Sequence, residues 1–332
     1  MFSSTGLGID LGSDSLVVSR PGAGIVWRGP ACAAVDAASG RLVAVGEEAL
    51  AHTGDSVALL WLVRDGVIED AAPARQVLAR IIAQSGSRLV KPRVALSISC
   101  RASAIARRAL SKAALAAGAA EVELVESPVA GALGAGLPAM GPEGLLVIDI
   151  GAGLADVAVI SLARTVAAES IGQAGQAWRD AIVDYLRETA GVVIAADDAE
   201  AIKLAVGAAA PVDAELSMVV TGQTASGSAR RVRVTPEDVH RALAEPLRAL
   251  VACVRRVLEG ASPQLAGDVA EGGALLVGGG AQLRRLDEHL TALLDIPVRT
   301  ADEPVDAVAL GLAKALDRAW ALGPSAGSEP AD

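Results

Sequence analysis

Two short stretches of the chain carry residues suited to phosphate chemistry. Gly8-Ile9-Asp10-Leu11-Gly12-Ser13 lies near the N-terminus, and Val147-Ile148-Asp149-Ile150-Gly151-Ala152-Gly153 lies near the middle. Each is an apolar run, then Asp, then a hydrophobic residue, then Gly. A buried strand that turns into a phosphate loop has this pattern. Asp10 and Asp149 would stand at strand ends, where a carboxylate can hold a hydrated divalent cation. The glycines let backbone N–H groups approach phosphate oxygens. In the first loop Gly12 is followed by Ser13, Asp14 and Ser15, which add hydroxyls and further N–H groups. In the second, Gly151, Ala152 and Gly153 offer backbone alone. A third stretch, Gly278-Gly279-Gly280, follows the apolar run Ala274-Leu275-Leu276-Val277. It would let a flat base or ribose approach the backbone. Each feature has a plainer reading by itself: an Asx-type hairpin turn after a buried strand, or a bare glycine loop. Two Asp–Gly loops in tandem point further, to a duplicated nucleotide clamp with a cleft between its halves.

The elements that must position these loops follow from periodicity. Residues 7–11 and 15–19 read as two strands around a tight turn, and 24–27 begin a third. Residues 41–46 form a short strand, 73–85 a helix with apolar Val77, Leu78, Ile81 and Ile82, 93–98 a strand, 102–118 an Ala-rich helix, 121–125 a strand and 128–136 a helix. The pattern restarts at Leu145. Strands at 145–150, 155–162 and 166–171 precede helices at 175–189 and 197–208. A hairpin covers 214–234, and a helix over 236–258 is announced by Thr235-Pro236-Glu237-Asp238, with Thr as cap, Pro at the first position and acids in the first turn. A strand at 274–277, a helix at 281–294, a strand at 296–299 and a helix at 305–320 complete the order. The sequence thus predicts an α/β architecture with an internal duplication.

Composition narrows the function. The 332 residues are enough for two domains. Hydrophobic residues make up 52%, yet no run of about 18 apolar residues is free of charge or Gly/Pro, which argues against a membrane span. Aromatics are only 2%, so aliphatic side chains must build the core. The N-terminus shows no basic region followed by an apolar run, so no secretory signal is read. Cys32, Cys100 and Cys253 are far apart, and no CxxC or Cys/His cluster suggests zinc or a disulfide framework. The expected compartment is a reducing cytoplasm. A net charge of −10 argues against a general nucleic-acid binder.

The order of Asp loop, second Asp loop, and strand–triple-Gly–helix resembles the actin, sugar kinase and Hsp70 ATPase superfamily. The likeness narrows to the bacterial actins MreB and Mbl through Val43-Ala44-Val45-Gly46-Glu47-Glu48-Ala49, Asp65-Gly66-Val67-Ile68, Gly134-Ala135-Gly136-Leu137-Pro138, Val157-Ala158-Val159-Ile160-Ser161-Leu162, Glu200 with Lys203, Ala244-Glu245-Pro246-Leu247 and Val308-Ala309-Leu310-Gly311. It covers the chain from residue 7 to about 320. The resemblance implies duplicated actin-like, ribonuclease H-like α/β domains around a nucleotide cleft. Domain I would span 1–144 with a small subdomain at about 32–78. Domain II would span 145–320 with a small subdomain at about 190–243, its last helix, 305–320, packing back on domain I. Residues 321–332 read as a disordered tail. The implied ligands are ATP or ADP with Mg2+, held by both Asp loops, by Glu200 and Lys203, and by Gly278, Gly279 and Gly280.

The chain also departs from the family. Its second loop usually reads Asp-Ile-Gly-Gly-Gly-Thr-Thr-Glu; here Ala152 replaces the middle glycine and Leu154 the first threonine, which helps position the attacking water. The family's Glu-Glu-Pro segment is Glu126-Ser127-Pro128, so Ser127 stands where a Glu polarises that water. Leucine cannot orient water, and serine is a poor base. A Gly-Gly-Asp-x-x-Asp loop is Ala174-Gly175-Gln176-Ala177-Trp178-Arg179, without its acids, and Val277 replaces a usual Thr. No catalytic group is intact on this reading. Nucleotide binding is expected to be weakened or retained, and hydrolysis very slow or absent. The alternative is that Glu126 shifts by one residue and rescues activity.

The resemblance further implies a filament of the chain with itself, peripheral on the inner face of the cell membrane and acting in cell shape or wall synthesis. The membrane contact would lie at Leu89 and Val90, between Arg88 and Lys91. Partners would include a conventional MreB and membrane-bound wall-synthesis proteins. A rival reading is a non-polymerising, nucleotide-locked scaffold that regulates a conventional MreB. A sugar kinase would need a catalytic Asp and a substrate pocket that the sequence does not display.

Overall fold

The computed structural model describes residues 6–52, 54–64, 66–86, 90–212 and 215–316. The chain divides into two compact units: residues 1–143, 160–166 and 305–332 form one, and 144–159 and 167–304 the other. The proposed tail, 321–332, and Leu89 lie outside the described residues.

The first unit contains, in chain order, β1 (Gly6–Leu11), β2 (Ser15–Arg20), β3 (Gly24–Pro30), β4 (Cys32–Asp36), β5 (Leu42–Val45), α1 (Glu47–Ala51), β6 (Val57–Trp61), β7 (Val63–Arg64), β8 (Val67–Ile68), α2 (Ala71–Ser85), β9 (Arg93–Ile98), α3 (Ala104–Ala116), β10 (Glu121–Glu126) and α4 (Ser127–Gly134). Its main sheet has the order β10-β9-β1-β2-β3, with β9 parallel to both β1 and β10, and β2 antiparallel to β1 and β3. Leu7, Ile9, Leu16, Val18, Val94 and Leu96 of this sheet form one core with Val77, Leu78 and Ile81 of α2 and Leu110 of α3. The central strands read as nearly unbroken apolar runs because both faces are covered. Residues 32–78 hold the small sheet β5-β4-β6, the β7–β8 pair and the start of α2.

The second unit begins at β11 (Leu145–Ile150), followed by β12 (Ala155–Ser161), β13 (Arg164–Ile171), α5 (Gly175–Ala190), β14 (Val192–Val193), α6 (Ala196–Val206), β15 (Met218–Thr224), β16 (Ala229–Val234), α7 (Pro236–Ala242), α8 (Ala244–Glu259), α9 (Pro263–Gly272), β17 (Ala274–Val277), a 3-10 turn (Gly279–Gln282), α10 (Leu286–Leu294) and β18 (Val298–Thr300). The chain ends its described part in α11 (Ala307–Ala315), which packs on α4, β1 and β2 within the first unit. The main sheet here has the order β13-β12-β11-β17-β18, with β11, β17 and β18 parallel. It matches the first sheet place by place, with β11 standing for β1 and β17 for β9. The core centres on Ile148, Ile150, Trp178, Ile182, Leu250 and Val254. The segment 190–243 holds the sheet β14-β15-β16 with α6 and α7.

Two expected helices are divided. The helix expected over 236–258 is α7 and α8, broken at Leu243. Pro246 lacks the N–H that a continuous helix would direct at Ala242. Thr235 and Asp238 form the full capping box at its start, each accepting from the other's backbone N–H. The helix expected over 281–294 starts only at Leu286, because the chain first makes the 3-10 turn and then places Arg285 in the left-handed region, φ 59°. The sequence reading missed β4, β6, β7, β8, β14 and α9; α9 carries a Ser-Pro start like the Thr-Pro start of α7, with Ser262 accepting from the Leu265 N–H. Among the described residues, no helix is long and apolar enough to cross a membrane.

Candidate functional site

In the first unit, Asp10 stands near the C-terminal end of the central strand β1, and the chain reverses just after it. The Gly12 N–H donates to the Ser15 carbonyl at 2.9 Å, and the Asp14 carbonyl accepts from Ala31 N–H at 2.8 Å. Ser13 is half-buried, while Asp14 and Ser15 are exposed. Asp10 is not left to solvent. Ser97, buried at the end of β9, donates its hydroxyl to Asp10 Oδ1 at 2.6 Å and accepts the Leu11 N–H at 3.2 Å. Burial raises the Asp10 pKa to about 6, and the Ser97 hydrogen bond works against that rise. The sequence reading did not single out Ser97. The strand register is the signal that would have found it.

In the second unit, β11 delivers Asp149 in the same way. The Gly151 N–H donates to the Leu154 carbonyl at 2.9 Å, so the turn repeats that of Gly12 and Ser15. Leu154 is buried, 8% exposed, and turns its side chain into the protein. The loop's own carbonyls are occupied: Gly151 O accepts from Gly175 N–H at 3.1 Å, and Ala152 O from Gln176 N–H at 2.8 Å. Those donors are orphans of the first turn of α5, so the loop caps that helix. Gly153 is buried beneath it. Lys203, on α6, is only 11% exposed and donates to Gly175 O at 3.1 Å and to Glu200 Oε2 at 2.8 Å. Gly151, Ala152, Gly175, Glu200 and Lys203 thus share one small network. Gly175 links it, and the sequence reading had not assigned it a role.

The three glycines after β17 have separate jobs. Gly278 sits at φ +85°, and a Cβ there would lie 2.5 Å from Asp149 Oδ1 and from the Ile150 carbonyl oxygen. A Cβ on Gly280 would collide with the Ile150 side chain. Both glycines are needed for this loop to close on the end of β11. Gly279 is exposed and has open space where its Cβ would be, so it alone presents bare backbone outward.

Ser127 begins α4, directly before Pro128. Its hydroxyl donates to the Ile98 carbonyl at 3.3 Å. Glu126, one residue earlier, is held by Arg107 Nη2 at 2.6 Å, and Arg107 Nε also donates to the Ala102 carbonyl at 3.2 Å. The carboxylate of Glu126 is therefore a fixed ion-pair partner within its own unit. Where the resemblance places acids after Gly175, Gln176 offers its backbone to Ala152, and Arg179 pairs with the neighbouring Asp180 at 3.0 Å.

Each unit thus carries a carboxylate near a strand end beside a short glycine turn, and the second adds one open glycine. The family model described as MreB/Mbl protein matches residues 4–323. The chain belongs to the MreB/Mbl family. The cell shape-determining protein MreB of Escherichia coli strain K12 is 38% identical over 328 residues, covering 96% of this chain and 94% of its own. The cell shape-determining protein Mbl of Bacillus subtilis strain 168 is 33% identical over 317 residues, covering 94% of this chain and 95% of its own. Among solved structures, MreB5 of Spiroplasma citri bound to ADP is similar with a TM-score of 0.88 at 28% identity, covering 95% of this chain and 96% of that one. The fold is actin-like.

Of the two residues expected to meet a membrane, Val90 is 58% exposed and Leu89 lies outside the described residues. Among the described residues, no group of three or more His, Cys, Asp or Glu side chains could hold a metal ion directly.

Proposed function

We propose that this MreB/Mbl family member binds ATP and ADP with Mg2+, assembles into filaments and hydrolyses ATP very slowly or not at all. Each Asp–Gly loop acts as a phosphate loop. Gly12, Ser13, Asp14 and Ser15 serve in the first, and Gly151, Ala152 and Gly153 in the second. Lys203 and Glu200 contribute to the same nucleotide site, and Gly278, Gly279 and Gly280 let a base or ribose approach the backbone. Mg2+, when bound, neutralises phosphate charge, and Asp10 and Asp149 orient its waters. The attenuation is carried by one observation: neither water-activating position has a group free to activate water. Leu154 is buried and apolar, Ser127 is spent on the Ile98 carbonyl, and Glu126 is locked to Arg107.

The test is calorimetric titration with Mg-ATP and with a non-hydrolysable analogue, then phosphate release on the same sample. Binding without turnover is expected. Turnover equal to an ordinary MreB would sink the attenuation, and no binding would sink the nucleotide reading. Light scattering on adding nucleotide separates a filament former from a non-polymerising regulator. Peripheral attachment to the inner membrane through Val90 and Leu89 is part of the same proposal. Flotation with anionic liposomes should weaken in Val90→Glu, and unchanged flotation would remove that part.

A further inference from the structure

The parallel pairing of β1 with β9 runs Gly6 with Arg93, Leu7 with Val94, Gly8 with Ala95 and Ile9 with Leu96. One step further stand Asp10 and Ser97. There a side-chain hydrogen bond replaces the backbone ladder. The Ser97 hydroxyl has one proton and accepts through its lone pairs. The Leu11 amide, at 3.2 Å, engages the oxygen, and the proton goes to Asp10 Oδ1, at 2.6 Å. Ser97 is buried, so water does not compete for either contact. One carboxylate oxygen is pinned, and Oδ2 remains for a ligand.

The other unit supplies the contrast. Its pairing of β11 with β17 runs Leu146 with Ala274, Val147 with Leu275, Ile148 with Leu276 and Asp149 with Val277. The position beside the second Asp is thus Val277, whose side chain has nothing to donate. The two halves share a strand order and a turn but differ at this one step of the ladder.

We infer that Ser97 is a positioning residue for the divalent cation that accompanies the nucleotide, holding the Asp10 carboxylate so that its second oxygen faces the cation's water. This rests on the nucleotide reading proposed above. A hydrogen-bonded partner fixes the orientation of the carboxylate it holds; behind a directly ligating group its loss costs about 10–100-fold in metal affinity, and behind a carboxylate that acts through water the cost is smaller. The effect must appear in the magnesium-dependent part of binding only.

The test is ADP titration of the full chain by calorimetry, with Mg2+ and with EDTA, for the parent, Ser97→Ala, Ser97→Thr and Asp10→Asn. Ser97→Ala is expected to lose up to about tenfold of the affinity gained with magnesium, the lower end of the range for partners of direct ligands, with the EDTA value unchanged. Ser97→Thr, which keeps the hydroxyl, should restore the gain. Asp10→Asn should remove it, and adding Ser97→Ala to that variant should cost nothing more. If Ser97→Ala fails to fold by far-UV circular dichroism, Ser97→Cys, with its weak donor, takes its place with the same expected loss. A full magnesium gain without the hydroxyl overturns the inference. An equal loss with Mg2+ and with EDTA also overturns it, since Ser97 would then merely shape the loop. A parent that binds no ADP under either condition ends the nucleotide reading and this inference with it, whereas binding that ignores Ser97 ends only the inference.

Discussion

In one unit the Gly12 amide closes a turn on the Ser15 carbonyl at 2.9 Å; in the other, the Gly151 amide closes the same turn on Leu154 at 2.9 Å. The backbones agree, and the side chains at the closing position do opposite things. Ser15 is exposed and carries a hydroxyl, while Leu154 is buried and apolar. Turn geometry is set by the strand end and the glycine. The chemistry of the loop is set by which way the next few side chains face. The same turn can therefore keep its shape while the side chain at its closing position changes from exposed and polar to buried and apolar.

The comparison is tested most strongly by restoring the groups expected at the second loop and at the start of α4. The double variant Ser127→Glu with Leu154→Thr is expected to raise phosphate release about 100-fold, the lower end of general-base effects. No increase would mean that the missing groups are not what limits hydrolysis. Next come the glycines that close the loop on β11. Gly280→Ala forces a methyl into Ile150 and should cost about 2 kcal/mol in denaturant unfolding. Gly279→Ala has open space and should stay within about 0.5 kcal/mol. Equal effects would show that the three glycines do not have distinct jobs.

A truncation pair reads the contrast directly. Leu154→Ala should destabilise by about 2–3 kcal/mol, by loss of buried area and cavity formation, and leave ADP affinity unchanged. Ser15→Ala should leave stability within about 0.5 kcal/mol and weaken ADP binding. The reverse pattern would make Leu154 a ligand-facing residue and end the contrast. The smallest effect is on pH dependence and concerns the second unit. His289, on α10, packs its ring 6.2 Å from that of His240, on α7, and burial together with His240 lowers its pKa below the ordinary 6.5. The folded state thus favours the neutral ring. Its contribution to stability is full above about pH 6.5 and is lost as pH falls through the lowered value. Asp10, with its raised pKa, favours folding as pH falls, so the His289 part is read as a difference: between pH 7.5 and pH 5.5 the slope of the urea midpoint should be less downward on acidification in His289→Gln than in the parent. An unchanged slope would remove His289 as its source.

Much of the site was legible in the chain. Asp10, Gly12, Asp149, Gly151 and the three glycines after β17 are marked by apolar runs that must be strands and by glycines that must be turns. The sequence also showed that Ser127 and Leu154 stand where water-activating groups are expected. Periodicity was less informative where two elements abut. A single amphipathic pattern over 236–258 hides the break at Leu243, since the apolar stripe continues on α8 after the turn. The short strand β6 has no alternation long enough to separate it from a loop.

The sequence by itself determined the duplicated order of strands and helices, the two Asp–Gly turns and the absence of the usual acids, because these depend on neighbours along the chain. Only the tertiary structure decided that Ser97 stands beside Asp10, that Val277 stands beside Asp149, that Arg107 holds Glu126 and that Gly175 ties the second loop to Lys203. Those pairs lie on different elements, between 19 and 128 residues apart. Sheet register and helix packing bring them into contact, and spacing along the chain does not encode that register.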